Sequence, residues 1–247
     1  VVLNDVPLKF RVIDGHNIWN VAEHTRALGL DGDLLDVVSS VRHIERYGLP
    51  APRKIRPGAH SLLEGYLFPE TYFIKRDEPR LDTALRLATR QFRKVFGALN
   101  KEHGTSVARL KRELKLTDHD LVTLASLVQK ETGAVAEAPM IAGVFYNRLR
   151  KKMKLQTDPT LVYGPNTWRE LPSPAFRRDS SNPYNTYAHR GLPPGPICNP
   201  GKAALAAVMA PAKTDALFFV ARRDGTGRHV FARTLADHNK NIDKYLR

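Results

Sequence analysis

The stretch LASLVQKETG, residues 124–133, places the tightest limit on the fold. It closes an apolar helix, and such a helix is stable in water only where a core receives it. Thr117 with Asp120 three residues later reads as an N-cap with an acidic variant of the capping box, so the helix opens there, and Gly133 is its stop. Glu131 breaks the pattern. It lies seven residues after Leu124 and three after Val128, which puts a carboxylate on the apolar stripe, at the negative end of the helix dipole. Burial and the dipole both disfavour the charged form and keep the acid protonated near neutrality. A general acid for glycosidic cleavage needs that state. The plain alternative is a glutamate that frays into solvent at a helix end.

The segments around this helix predict an α+β fold. LKFRVID, residues 8–14, alternates as a strand and runs into Gly15. A helix follows from Ile18 to its stop at Gly29, and a second spans DGDLLDVVSSVRHIERYG with Gly48 as its stop. A proline-rich connector, LPAPRKIRPG, leads to the strand-like SLLEGYLFPETYFI, broken at Pro69. Residues 79–104 form a helix with mixed apolar and basic faces, suited to packing on one side. Beyond the Glu131 helix, another runs over about 136–151 with Pro139 in its first turn. Residues 155–201 are rich in proline, glycine and asparagine, and loops of that length are functional or disordered; their tyrosines and asparagines argue for order. Asn199 is placed as the cap of a helix with Pro200 at its first position. ALFFVARRDGTGRHVFAR reads as a hairpin around Asp224-Gly225, and Thr234 caps a last helix.

Composition narrows the partners. With 42% hydrophobic and 26% charged residues the chain can bury a core, and no run approaches the roughly 20 apolar residues of a membrane span. The single cysteine, Cys198, excludes an internal disulfide framework and reads as a small filler in a Pro/Gly loop. HExxH and HxH are absent, so neither a metal nor a cofactor enters the reading. The net charge of +14 favours a polyanionic partner: nucleic acid, anionic membrane or cell-wall polymer. There is no RNP sequence, zinc finger or basic zipper to select nucleic acid.

Two resemblances sharpen this. RVIDGHNIWNVA, within the strand–helix–helix–strand order, resembles the opening of a LysM module, a type that binds N-acetylglucosamine-containing glycans. LASLVQKETG, GVFYNRLRKKMKLQTDPTLVYG, NPYNTYAHRGLPPGPICNPG and VFARTLADHNKNIDKYL together closely resemble the endolytic murein transglycosylases, the MltG or YceG-like family. LLEGYLFPETY matches the block that precedes that family's catalytic domain. The resemblance implies a LysM-like βααβ module over residues 1–78, a helical connector over 79–116, and a mixed α+β catalytic domain over 117–247 with helices, long ordered loops and a β-hairpin. The family's catalytic glutamate, in a block of the form ASxVxKET, falls on Glu131. Some relatives carry a second glutamate two positions earlier; Gln129 stands there, leaving Glu131 the only acid of the block.

The resemblance further implies cleavage of the β-1,4 bond between N-acetylmuramic acid and N-acetylglucosamine within a glycan strand, ending in a 1,6-anhydro ring. Glu131 would protonate the leaving oxygen and then deprotonate the C6 hydroxyl. Tyr184 and Tyr187 are candidates for stacking on sugars, Asn185 and Thr186 for bonding N-acetyl and hydroxyl groups, and Gln156 and Asp158 for polar contacts on a turn set by Pro159. His189 and His229 read as surface or loop residues. The partners implied are peptidoglycan glycan strands, with cell-wall synthases as candidates. Relatives are tethered by an N-terminal transmembrane helix facing the periplasm or cell exterior, so the expected place is the cell envelope and the chain, which starts at Val1, is expected to be a fragment of an anchored protein. The first rival is a muramidase with Asp158 as second carboxylate, and the second is a non-catalytic binder of polyanions.

Overall fold

In the computed structural model, which describes residues 6–38, 45–49 and 57–246, the organising element is the helix that ends at Glu131. Ten successive residues of it, His119 to Val128, are buried. A helix covered all round must lie inside the molecule rather than on it, and its polar side chains are accordingly satisfied. Thr123 and Ser126 donate back to the carbonyls of His119 and Thr123, Ser126 Oγ also accepts the Ile197 N–H, and His119 Nδ1 lies 2.6 Å from the Tyr66 hydroxyl.

The elements in chain order are β1 (Leu8–Arg11), α1 (Ile18–Ala27), β2 (Thr71–Ile74), α2 (Leu81–Glu102), α3 (Gly104–Leu114), α4 (Asp118–Glu131), α5 (Ala138–Arg150), α6 (Lys202–Met209), β3 (Phe218–Ala221), β4 (His229–Ala232) and α7 (Leu235–Tyr245). Single helical turns lie at Leu34–Val37, Val135–Glu137, Asp158–Leu161 and Pro174–Arg178. Helices far outweigh two small two-stranded sheets, consistent with the expected α+β class. α4, α5 and α6 pack against one another, and the short turn Asp158–Leu161 packs on α4. One apolar core runs from Leu8 to Met209, so side chains from all three stretches distinguished in the sequence pack together.

Most predicted caps and stops are present. Thr117 and Asp120 form the capping box of α4 and Thr234 caps α7; a further box, not predicted, joins Asn17 and Asn20 at α1. Helix also covers most of 79–116, as α2 and α3, the latter closed by Lys115 in the left-handed region. β1 pairs antiparallel with β2, Leu8 opposite Ile74 and Arg11 opposite Thr71, and β3 pairs with β4 as a hairpin. The second N-terminal helix is described only over its first turn, Leu34–Val37, and at residues 45–46; Val41, His43 and Ile44 lie outside the described residues.

Two expectations change. The strand expected over 61–74 is confined to Thr71–Ile74. Residues 62–68 are all buried and form turns, because Ser61 Oγ takes the N–H groups of Leu63 and Glu64 and Gly65 adopts φ +86°. A Cβ at Gly65 would lie 2.7 Å from Pro196 and 2.9 Å from Val122, so the turn depends on that glycine. A short apolar run does not reveal whether it is a strand or a buried turn. The second change is that Asn199 does not cap α6, whose N-cap is Gly201. Its side chain accepts the Leu67 N–H and donates to the His16 carbonyl, tying the N-terminal region to the loop before α6. Three distant backbone segments meet there, and an amide can donate and accept at once.

Candidate active site

Glu131 is the last residue of α4, and the chain leaves the helix at once through extended Thr132. The residue lines a cleft of about 470 Å³. One wall carries Arg148, Gln156, Asp158, Arg177 and Tyr187; the other is built from the β3–β4 hairpin and α7. Glu131 is half-buried: the walls surround it, while solvent reaches it from the cleft. Burial pushes its pKa up to about 7, the negative charge of Asp158 adds to the rise, and the Thr157 hydroxyl and Arg148 oppose it. The plain alternative, a glutamate fraying into open solvent, does not describe this side chain.

Thr157 Oγ1 donates to Glu131 Oε1. With the Thr157 hydroxyl as the donor to Oε1, the neutral form holds its proton on Oε2. Among the described residues, no protein group bonds Oε2. The carboxyl group is therefore held by one oxygen and presents its proton with the other.

Thr157 is in turn held by the NPYNTY segment. Its N–H donates to Thr186 Oγ1 at 3.0 Å, Thr160 Oγ1 lies 2.9 Å from the same oxygen, and the Gln156 N–H donates to the Thr186 carbonyl. Asn185 is fully buried; its amide donates to the carbonyls of Phe176, Arg177 and Asp179, and its carbonyl accepts from the N–H groups of Tyr187 and Ala188. Tyr184 is also buried, stacked on His60 at 5.3 Å and tilted against Tyr163 at 4.6 Å. Tyr184, Asn185 and Thr186 thus lie inside the protein, where the hydrogen bonds of Asn185 and Thr186 hold the loop that holds Thr157.

The other three predicted residues do reach the cleft. Asp158 takes both its oxygens to Arg177 Nη2, at 3.2 and 3.0 Å, and accepts the Tyr187 hydroxyl at 2.6 Å. The Arg177 guanidinium lies over the Tyr187 ring, 5.1 Å from its centroid. Gln156 is exposed, has φ +52°, and its Oε1 accepts from Arg148 at 3.3 Å.

Several site residues carried no prediction. Arg148 is buried and donates to the carbonyls of Leu217, Lys154 and Leu155, joining the loop before Gln156 to the start of the hairpin. Its position was readable: it lies seven residues after Ile141 and four after Val144, on the core stripe of α5. Thr157 has no such signal. His229 is neither a loop nor a surface residue, but opens β4 in the cleft wall, with Nδ1 3.0 Å from Glu137 Oε2. His189 is exposed, as expected, with its ring on the Ser180 carbonyl. Gln129 accepts the Gly201 N–H at 3.0 Å, a structural use of the amide next to the acid.

The nearest second acid of similar character is Glu64, from the LLEGYL block. It is fully buried, Oε2 accepts the Ile18 N–H at 2.9 Å and the Tyr163 hydroxyl at 2.8 Å, and Oε1 meets no hydrogen-bond donor in bonding geometry among the described residues. Burial pushes its pKa up to about 7.

The YceG-like family matches residues 2–244. An endolytic murein transglycosylase of Bacillus subtilis is 40% identical over 189 residues, 74% of this chain and 48% of that protein. One from Streptococcus pneumoniae is 33% identical over 197 residues, 76% of this chain and 33% of that protein. The chain thus spans about half or less of the length of these curated relatives. The crystal structure of a YceG-like protein from Listeria monocytogenes superposes with a TM-score of 0.80 at 29% identity, covering 95% of this chain and 76% of that one. With nearly every residue matched and the fold shared along almost the whole chain, this protein belongs to the YceG-like family.

Proposed function

We propose that the protein is a lytic transglycosylase that cuts peptidoglycan glycan strands internally, between N-acetylmuramic acid and N-acetylglucosamine, with Glu131 as its single acid and base. The observation that carries this reading is the state of Glu131: an acid poised near neutrality at a cleft, with one oxygen tied to Thr157 and the protonated one free. The names of the relatives supply the substrate class.

Glu131 donates the Oε2 proton to the leaving glycosidic oxygen as the bond to C1 of muramic acid breaks. Its carboxylate, stabilised by the Thr157 hydroxyl and by Arg148, then takes the proton of the C6 hydroxyl. O6 bonds to C1, the 1,6-anhydro ring closes, and no water is consumed. The acid returns to its starting form.

A muramidase would need Asp158 as nucleophile or as base for water. Both Asp158 oxygens are engaged by Arg177 and one also by Tyr187, which lowers their nucleophilicity and leaves Asp158 as a fixed negative charge that favours the protonated form of Glu131. In this reading the enzyme works in the cell envelope beside cell-wall synthases, tethered by an N-terminal membrane segment outside this chain. Digestion of purified peptidoglycan, with products read by mass, is the test. Anhydro ends are expected; reducing muramic acid ends, heavier by one water, would establish hydrolysis instead.

A further inference from the structure

His238, on α7, lines the same cleft as Glu131 and has no part in the proton transfers above. Its ring stacks on Phe218, with centroids 5.1 Å apart and planes at 24°. The residue is partly exposed, yet its Nδ1 is buried without a hydrogen-bond partner among the described residues. Nε2 also has no protein partner among the described residues, but it is not among the buried unpaired atoms, so it is open to solvent on a residue that lines the cleft.

An imidazole with one sealed nitrogen has little choice about its proton. A sealed N–H without an acceptor is less tolerable than a sealed lone pair, so the proton sits on Nε2 and the lone pair on Nδ1. The cationic ring would carry a sealed, unpaired N–H beside the Arg148 cation. Burial and Arg148 both push the His238 pKa below the ordinary histidine value. The ring is thus a neutral donor with its N–H facing the cleft.

The walls around it indicate what it serves. Phe218, Ile242 and Leu246 supply apolar surface on the same side of the cleft. Arg148 is not available as the donor there through Nε or Nη1, which are occupied by carbonyl groups and Gln156. A carbonyl acceptor attached to a methyl group fits an N–H beside apolar side chains, and in an amino-sugar polymer the acetamido group has that form. Resting on the glycan-cleaving reading, we infer that His238 is a substrate-binding residue that donates Nε2–H to the carbonyl of a sugar N-acetyl group.

The test uses the Glu131→Gln protein, which binds without cutting, and a peptide-free N-acetylglucosamine–N-acetylmuramic acid tetrasaccharide, followed by calorimetry. Adding His238→Ala should weaken binding by about 3- to 10-fold, the size of one neutral hydrogen bond. His238→Gln, which can place an amide N–H near the same point, should recover part of that loss, and His238→Phe, which keeps the ring without the donor, should not. With the N-deacetylated tetrasaccharide the effect of His238→Ala should vanish. Equal losses on both saccharides, or no loss on the acetylated one, would overturn the inference while leaving the glycan reading intact. Failure of Glu131→Gln to bind the acetylated saccharide at all would remove both. Hydrolytic products from the parent protein, with the His238 pattern as expected, would remove only the lytic chemistry.

Discussion

Glu131 and Glu64 are two carboxylic acids with nearly the same electrostatic fate and opposite surroundings. Burial pushes both up to about 7. Glu131 stands at a cleft, held by one hydroxyl, with its second oxygen unengaged by protein. Glu64 is enclosed, its Oε2 joining the first turn of α1 to Tyr163 in the loop after Asp158. A perturbed pKa marks a carboxyl group taken out of water, whatever its purpose. Access separates the two: a proton can be passed to a substrate only from Glu131, while Glu64 links the N-terminal region to the loops that shape the cleft.

Exchanging each acid for a residue that cannot titrate should split the pair. Glu131→Gln keeps the size of the side chain and an acceptor for Thr157 but cannot transfer a proton. Peptidoglycan cleavage should fall by at least about 10²–10⁴-fold, with the melting temperature held or slightly raised. Near-parental cleavage, or an unfolded variant, would refute the assignment of Glu131 as the acid. The pH profile should show the next largest effect. The acid must be protonated, so cleavage should fall tenfold per unit above about pH 7, following the raised pKa of Glu131. A rate that climbs through that region would show that the carboxylate, not the acid, begins the reaction.

Glu64→Ala should do the reverse of Glu131→Gln. It leaves the Ile18 N–H and the Tyr163 hydroxyl buried without their acceptor, each costing about 1–3 kcal/mol. At about 2–4 °C per kcal/mol for a chain of this size, thermal melting should drop by several degrees. Unchanged melting would mean that the enclosed carboxyl ties nothing together. The two acids also make a shared prediction about pH. Each binds a proton in the folded state that the unfolded chain releases above the ordinary value of 4.5, so folding stability should decline from there to about pH 7 and level off beyond. Urea melts of Glu64→Gln should show a shallower decline than the parent.

The smallest effect sharpens the site itself. Thr157→Val removes the hydroxyl that favours the Glu131 carboxylate, so the upper limb of the pH profile should move to higher pH by a fraction of a unit, whereas Thr157→Ser should leave it in place. A downward shift would reverse the sense of that hydrogen bond.

Local patterns in the sequence determined much of this. The capping box at Thr117, the glycine stops, the hairpin and the odd position of Glu131 all depend on neighbours a few residues apart, and side-chain spacing encodes such relations directly. The tertiary structure decided what those residues face. Tyr184, Asn185 and Thr186 look from sequence like sugar contacts, but their partners lie up to 124 residues away, and those partners draw them inside. Asn199 has the form of a helix cap, yet it spends its amide on Leu67 and His16, 132 and 183 residues distant. The Thr157 bond to Glu131 spans 26 residues and has no local signature. Whether a polar group ends in a cleft or in the core is settled by which distant segment reaches it first, because a buried donor or acceptor must be paired by whatever the fold brings alongside.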